Sequence, residues 1–253
     1  MTYQPPVRDH VFLLRDVLQI EKYADLPAFA DASMDVVEQI IDEAGRFTSE
    51  VLAPLNAIGD KEGCTWHPDN TVTTPKGFKE AYAQLVAGGW PALGADPDYG
   101  GQGLPAVVNL AFSEMSSSAN MAFSMYPGLT HGAYSAIHNG GSDAQKQLYL
   151  PKLASGQWGG TMNLTEPQCG TDLGMLRTKA VLQGDGSYRI SGQKIWISGG
   201  EHDMAENIVH LVLARIEGAP AGTRGISLFI VPKFIPDADG DPGVRNSVFC
   251  AGL

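Results

Sequence analysis

The chain has 253 residues, of which 43% are hydrophobic, enough to form a sizeable core in one or two domains. Its formal net charge of -11 disfavours nucleic acid and anionic lipid as main partners, and no run of roughly 18 apolar residues predicts a membrane span. The three cysteines are odd in number and far apart, which disfavours a disulfide framework, and no secretory signal is recognisable, so we expect a cytoplasmic protein.

The N-terminal part of the chain is predicted to be helical. Residues 1–33 carry two short helical patterns interrupted at Pro27, and we expect a helical extension there. From Met34 to Val51, apolar residues recur every three or four positions, so one stripe of a helix is buried. Pro54 is expected to end this helix.

Further helices are predicted before residue 157. Thr74-Pro75 is typical of a helix start, and Gly88-Gly89 is typical of its end. The nearly uncharged stretch 105–125 predicts a helix that is buried on most sides, and 128–139 predicts the next one. The sequence Ser142-x-x-Gln145 is a capping box that begins another helix.

The hydrophobic pattern changes after Gln157. Residues 177–183 and 188–191 alternate and flank a Gly-Asp-Gly-Ser turn, which predicts a β-hairpin. Further strands are predicted at 194–198, 208–216 and 225–231. Short antiparallel strands at this spacing are typical of a small β-barrel or sandwich rather than of βαβ units.

The predicted fold class is therefore α+β, an all-helical domain followed by a small antiparallel β-barrel or sandwich. We set the N-terminal extension at 1–33, the helical domain at 34–158 and the β domain at 159–253.

Two segments that end in glycine-containing turns carry the strongest functional signal. The first motif is Met162-Asn163-Leu164-Thr165-Glu166-Pro167-Gln168-Cys169-Gly170-Thr171-Asp172, whose Gly-Thr-Asp turn can leave backbone N–H groups free for a ligand. The second motif is Gln193-Lys194-Ile195-Trp196-Ile197-Ser198-Gly199-Gly200. A strand there would place Trp196 and Ser198 on one face. A flat ring beside a hydroxyl can support a planar heteroaromatic cofactor, although a strand tryptophan is more often part of a core.

The two motifs together resemble the paired signatures of the flavin-dependent acyl-CoA dehydrogenases. The resemblance extends from about residue 34 to the end of the chain. The pattern Tyr3-x-x-Pro6-x-Arg8-Asp9-x-x-Phe12 and the segment 127–133 are similar to a longer bacterial subgroup, which includes the 3-methylmercaptopropionyl-CoA dehydrogenases.

The resemblance implies a set of site residues. Trp196 would lie against the flavin ring of FAD, and Ser198, where the family usually has threonine, would direct its hydroxyl toward flavin N5. Thr171 would contact the CoA part of the substrate. The cofactor-binding set is Met162, Asn163, Leu164, Thr165, Trp196, Ile197 and Ser198.

The implied reaction is the α,β-dehydrogenation of an acyl-CoA to the trans-2-enoyl-CoA, with α-proton abstraction and β-hydride transfer to flavin N5. An electron-transfer flavoprotein and assembly into a homo-oligomer are implied for the full-length enzyme. The family's base is a glutamate in a third, C-terminal helical domain, so we assign no catalytic base here. We expect an N-terminal part of a longer enzyme that binds FAD weakly and does not turn over.

Two other functions stay open, a non-catalytic flavin- or acyl-CoA-binding module and a flavin acyl-CoA oxidase. Glu166 and Asp172 are interpreted as structural carboxylates in turns. The histidines and cysteines lack metal-ligand spacing, and Asp237-x-Asp239-x-Asp241 lacks the glycine and glutamate of a calcium loop. Ser191-x-x-Lys194 on a strand is not expected to act as a nucleophile pair.

Overall fold

The structure is a computed structural model that describes residues 3–253, so the first two residues of the predicted extension lie outside it. The helices of the described residues are α1 (Val7–Phe12), α2 (Met34–Phe47), α3 (Ala53–Glu62), α4 (Phe78–Ala87), α5 (Ala106–Ala119), α6 (Met121–Gly140) and α7 (Asp143–Ala154). Among these residues, no helix combines the length and apolarity that a bilayer crossing needs. The first half of the chain is therefore predominantly helical, as predicted.

Two short strands, β1 (Thr65–Trp66) and β2 (Val72–Thr73), lie between α3 and α4. Strands dominate the second half, where they are β3 (Trp158–Asn163), β4 (Lys179–Leu182), β5 (Tyr188–Ser191), β6 (Asn207–Ile216), β7 (Ile226–Pro232), β8 (Phe234–Pro236) and β9 (Pro242–Arg245). A helical half followed by a curled sheet confirms the predicted fold class, and β4 with β5 confirms the predicted hairpin.

Strand β6 organises the main sheet. It pairs antiparallel with β7 along one edge, and along the other edge it pairs parallel with β3 and then, near its end, with β4. The antiparallel pattern did not predict these two parallel pairings. They arise because the hairpin and the second motif together return the chain to the end of the sheet where β3 begins, so β6 runs in the direction of β3.

Two helix boundaries differ from the sequence prediction. Pro54 does not end a helix, because a π-helical segment, Thr48–Leu52, connects α2 to α3 and places Pro54 in the first turn of α3. The wider π-helical turn before Pro54 makes room for its ring. Helix α6 runs through Pro127, and the break lies instead at Asn120, whose side chain accepts the Phe123 N–H at 3.0 Å.

The start of α4 also differs from its prediction. The N–H and hydroxyl of Thr74 donate to Asp203 Oδ1 at 3.1 and 2.7 Å, so Thr74 joins the two halves of the chain instead of capping the helix. The helix begins at Phe78 instead. It ends before Gly88-Gly89, and this end was predicted. The capping box that begins α7 is present as predicted.

The two halves share a hydrophobic core that fixes β3 against α6. Trp158 is fully buried in this core, together with residues of α6, α7 and β6. Gly160 lies so close to α6 that a Cβ on it would stand 2.5 Å from the Ala133 Cβ. Its N–H donates to the Thr130 hydroxyl at 3.0 Å. This close approach sets the position of the strand that leads into the first motif.

Candidate functional site

The first motif forms a tight turn just after β3. The Glu166 N–H donates to the Cys169 carbonyl at 2.8 Å, and the Cys169 N–H donates back to the Glu166 carbonyl at 3.0 Å. Leu164 and Thr165 connect this closed turn to the end of the strand at Asn163. The position of both residues is therefore fixed from two sides.

The second motif is a turn and not a strand. Trp196 has a φ of 59° and Gly199 a φ of 64°, and the Gly200 N–H donates to the Ile197 carbonyl at 3.3 Å. A left-handed residue interrupts the alternation of an extended chain, so the expectation that Trp196 and Ser198 share one face of a strand is wrong. Trp196 is instead 86% exposed.

Three hydrogen bonds join the two motifs. The Ile195 N–H donates to the Thr165 carbonyl at 2.9 Å. The Lys194 ammonium donates to the Leu164 carbonyl at 3.0 Å and to the Glu166 carboxylate at 2.8 Å. Thr165 and the residue that precedes Trp196 are thus in direct contact through their backbones, as the cofactor hypothesis requires.

Glu166 is a buried, fully bonded carboxylate. Besides Lys194, it accepts hydrogen bonds from the Gln168 side chain at 2.6 Å and from the N–H groups of Arg177 and Thr178 at 2.8 and 3.0 Å. Burial would raise the pKa of this carboxyl, but the Lys194 ammonium and the two backbone N–H groups outweigh burial and lower the pKa to about 2. The carboxylate stays ionised and immobile, which agrees with its structural interpretation.

Several backbone donors beside Trp196 are unused. The N–H groups of Leu164 and Thr165, and those from Trp196 to Gly199, donate to no acceptor within residues 3–253. The half-buried Thr165 and the exposed Ser198 add hydroxyl groups to the same region. Such donors around an exposed indole can hold a flat heteroaromatic ring by stacking and by hydrogen bonds to its oxygen and nitrogen acceptors.

The side chains of Met162 and Asn163 point to opposite faces of β3. Met162 packs against the core shared with α6 and α7. On the other face, the Thr161 hydroxyl donates to Asn163 Oδ1 at 2.7 Å and lies 2.8 Å from His210 Nδ1. Burial, and secondarily the charge of Arg245, lowers the pKa of His210 to about 3, so this network is neutral. The Asn163 amide oxygen is therefore held within β3.

The Gly170-Thr171-Asp172 end of the first motif is open to solvent. Asp172 accepts the Gly174 N–H at 3.0 Å and so caps a short 3₁₀ turn, which is the structural role predicted for it. The N–H groups of Gly170, Thr171 and Asp172 donate to no acceptor within the described part of the chain, as their turn pattern indicated. Thr171 is exposed and accessible to a ligand.

The acidic loop and the lysine singled out in the sequence have structural roles in the described part of the chain. Within residues 3–253, no three His, Cys, Asp or Glu side chains are grouped as metal ligands. Asp237 closes its own acidic loop by accepting the N–H groups of Asp239 and Asp241 at 3.0 and 3.1 Å. The Lys194 ammonium is held by Glu166 and does not serve as a base for a serine.

The sequence did not indicate that Tyr126 borders the site. A Cβ on Gly199 would lie 3.1 Å from the Tyr126 ring, so only glycine fits this position without a shift. The same ring packs edge-on against His202, with centroids 5.2 Å apart, and burial raises the pKa of its hydroxyl. No signal could have identified Tyr126, because the predicted helix ended one residue before it.

Comparison with known proteins assigns two domain types to the chain, and both motifs lie in the second one. Residues 34–157 match the model of the acyl-CoA dehydrogenase N-terminal domain, and residues 161–247 match that of the acyl-CoA dehydrogenase middle domain. A 3-methylmercaptopropionyl-CoA dehydrogenase of Ruegeria pomeroyi is 48% identical over 253 residues, which are 100% of this chain and 43% of that protein. A broad-specificity linear acyl-CoA dehydrogenase of Mycobacterium tuberculosis is 40% identical over 99% of this chain and 41% of its own length.

The fold is similar to solved structures as well. The structure of an acyl-CoA dehydrogenase complexed with FAD from Bacillus anthracis has a TM-score of 0.63 and 26% identity, over 79% of this chain and 31% of that one. The present chain thus spans less than half the length of these relatives.

Proposed function

The chain belongs to the acyl-CoA dehydrogenase family, and from that premise we propose that its two motifs hold the isoalloxazine ring of FAD. The observation that carries this proposal is Trp196, which is 86% exposed on a backbone with a φ of 59°. An exposed indole gains little from burial, and a left-handed backbone costs a non-glycine residue about 1–2 kcal/mol. A ring stacked on the indole is a reason to keep both features.

The unused donors fit the polar edge of a flavin. Its pyrimidine end carries carbonyl oxygens and ring nitrogens that accept hydrogen bonds, and the N–H groups of Leu164 and Thr165 supply donors there. Asn163 contributes by fixing the end of β3, where it pairs with Val212 of β6 and its side chain is bonded to Thr161. The proposed cofactor-binding residues are Met162, Asn163, Leu164, Thr165, Trp196, Ile197 and Ser198.

For the whole protein we propose α,β-dehydrogenation of an acyl-CoA, with Thr171 contacting the CoA portion. FAD, when bound, accepts the β-hydride. The α-proton requires a positioned base. Neither carboxylate of the first motif is proposed as this base, since Glu166 is bonded on both oxygens and its pKa of about 2 makes it a weak proton acceptor, and Asp172 caps a turn. Electron-transfer flavoprotein as acceptor, a homo-oligomeric state and a cytoplasmic location complete the proposal, the last favoured by three unpaired cysteines.

A titration with FAD, followed by the quenching of flavin fluorescence, tests the cofactor assignment. We expect saturable binding by the chain. Thr165→Val should raise the FAD dissociation constant about fivefold to tenfold, because it removes one hydrogen bond worth about 1 kcal/mol. Thr171→Val is the matched control, since this hydroxyl is assigned to CoA and its loss should leave FAD binding unchanged. Absence of saturable quenching by the unaltered chain would refute the proposal.

A further inference from the structure

The buried ion pair between Glu166 and Lys194 is the densest polar contact between the two motifs. The side chains of Glu166 and Lys194 are only 3% and 8% exposed. The carboxylate accepts four hydrogen bonds, two on each oxygen, from the first motif, from the chain that enters β4 and from the second motif. The ammonium also donates to the Leu164 carbonyl. Three separate segments are therefore tied to one pair of charges.

The pair lies next to the proposed flavin contacts without being part of them. Glu166 directly follows Thr165, and Lys194 precedes Trp196 by two residues. The Lys194 ammonium donates to two protein groups, and both carboxylate oxygens of Glu166 accept from protein donors, so neither oxygen is left over for a ligand. The carbonyls of Leu164 and Thr165 are bonded to the second motif, whereas the N–H groups of both residues donate to no acceptor within residues 3–253.

From this geometry we propose that Glu166 and Lys194 are positioning residues, which hold the Leu164–Thr165 backbone and the Trp196 turn in the mutual register that FAD binding needs. This inference rests on the proposed cofactor role of the two motifs. An ion pair that only stabilised the fold could be exchanged for apolar groups of similar volume at little cost. Fixed hydrogen bonds to three segments set their relative position as well, which apolar groups do not.

The test combines hydrogen exchange of the ligand-free chain with FAD titration. The variants are Lys194→Met, Glu166→Gln, their double variant, and Lys194→Arg, which keeps the positive charge. Ile41→Ala, in the core of the helical half where Ile41 is 0% exposed, is the control for loss of stability. We expect Lys194→Met to accelerate amide exchange at Ile195, Arg177 and Thr178 together, beyond any general increase seen with Ile41→Ala.

The FAD dissociation constants of Lys194→Met and of Glu166→Gln should each rise about tenfold or more, since small displacements of aligned groups are costly. Lys194→Arg should recover part of the affinity. The double variant should regain stability relative to Lys194→Met, because no unpaired charge is left buried, yet keep the weakened FAD binding.

The outcomes separate this inference from the proposed function. Faster exchange confined to the segment of the altered residue, or a double variant that regains affinity as well as stability, overturns the positioning role. A different result is that the unaltered chain does not bind FAD, while Lys194→Met still accelerates exchange at Ile195, Arg177 and Thr178 together. This result overturns the cofactor assignment and the role of the ion pair in FAD binding, but it leaves the coupling of the two motifs in place.

Discussion

The cost of the left-handed turn at Trp196 gives a quantitative prediction for Trp196→Asn. With 86% of the residue exposed, about one-seventh of a tryptophan surface of at most about 250 Å², or about 35 Å², is buried. Losing that contact costs about 0.9 kcal/mol at about 25 cal/mol per Å². Asparagine tolerates left-handed backbone, so the substitution recovers much of the cost of about 1–2 kcal/mol that the φ of 59° imposes.

The unfolding free energy of Trp196→Asn should therefore equal that of the unaltered chain or exceed it by up to about 1 kcal/mol. Urea unfolding followed by far-ultraviolet circular dichroism measures this, because the signal does not depend on the indole that is removed. Trp158→Ala, at a fully buried tryptophan, is the comparison and should lose about 3–5 kcal/mol.

FAD affinity should move in the opposite direction. Stacking on an aromatic ring is worth about 0.5–1.5 kcal/mol, so Trp196→Asn should weaken FAD binding up to about tenfold while stability is kept. A Trp196→Asn chain that loses more than about 1 kcal/mol of stability would contradict the strain argument. Unchanged FAD affinity would contradict the stacking argument.

Two further predictions concern packing and pH. Gly160→Ala should destabilise the chain by about 1–3 kcal/mol in urea unfolding, because its Cβ would stand 2.5 Å from the Ala133 Cβ. Gly128→Ala is the control. Nothing lies within 4 Å of its Cβ, so it should stabilise α6 by up to about 1 kcal/mol. Burial lowers the folded-state pKa of His210 from 6.5 to about 3. As pH falls from about 6.5 toward 3, the unfolded chain therefore binds a proton at this histidine before the folded chain does, and the stability present near pH 7 is lost. His210→Gln should therefore reduce the drop in urea midpoint between pH 7 and pH 5, and His131→Gln, at an exposed histidine, should leave that drop unchanged. An equal drop in urea midpoint for the two variants would refute the assignment of this pH dependence to His210.

Local chemistry made part of the fold predictable from the sequence. The capping box of Ser142 and Gln145 is a contact between residues three apart, and it forms as its pattern indicates. The hairpin of β4 and β5 follows from alternation on both sides of a glycine-containing turn. In each case the residues that determine the structure are neighbours in the chain, so tertiary contacts have little to override.

The remaining errors lie where distant residues determine the outcome. Thr74 has the sequence of a helix cap, but Asp203, 129 positions away, takes its hydroxyl. The second motif has the composition of a strand, yet its Ile195 N–H and Lys194 ammonium donate to the first motif, and no neighbouring strand pairs with it within residues 3–253. The sequence thus indicated which residues form the candidate site. It did not indicate that Trp196 stands on a left-handed turn, because that conformation depends on contacts made across 30 residues.

The two faces of β3 explain why the candidate site can be rigid before a ligand arrives. One face is fixed on α6 through the close approach of Gly160 and its hydrogen bond to Thr130. The other face carries the contact of the Thr161 hydroxyl with His210 of β6, 2.8 Å from its Nδ1, so the strand cannot rotate or slide without breaking one set of contacts. A ligand that meets the N–H groups just beyond this strand pays little ordering entropy, since their position is already set. The segment proposed to hold the flavin is therefore attached to both halves of the chain, and damage at either face of β3 should weaken FAD binding by displacing these N–H groups.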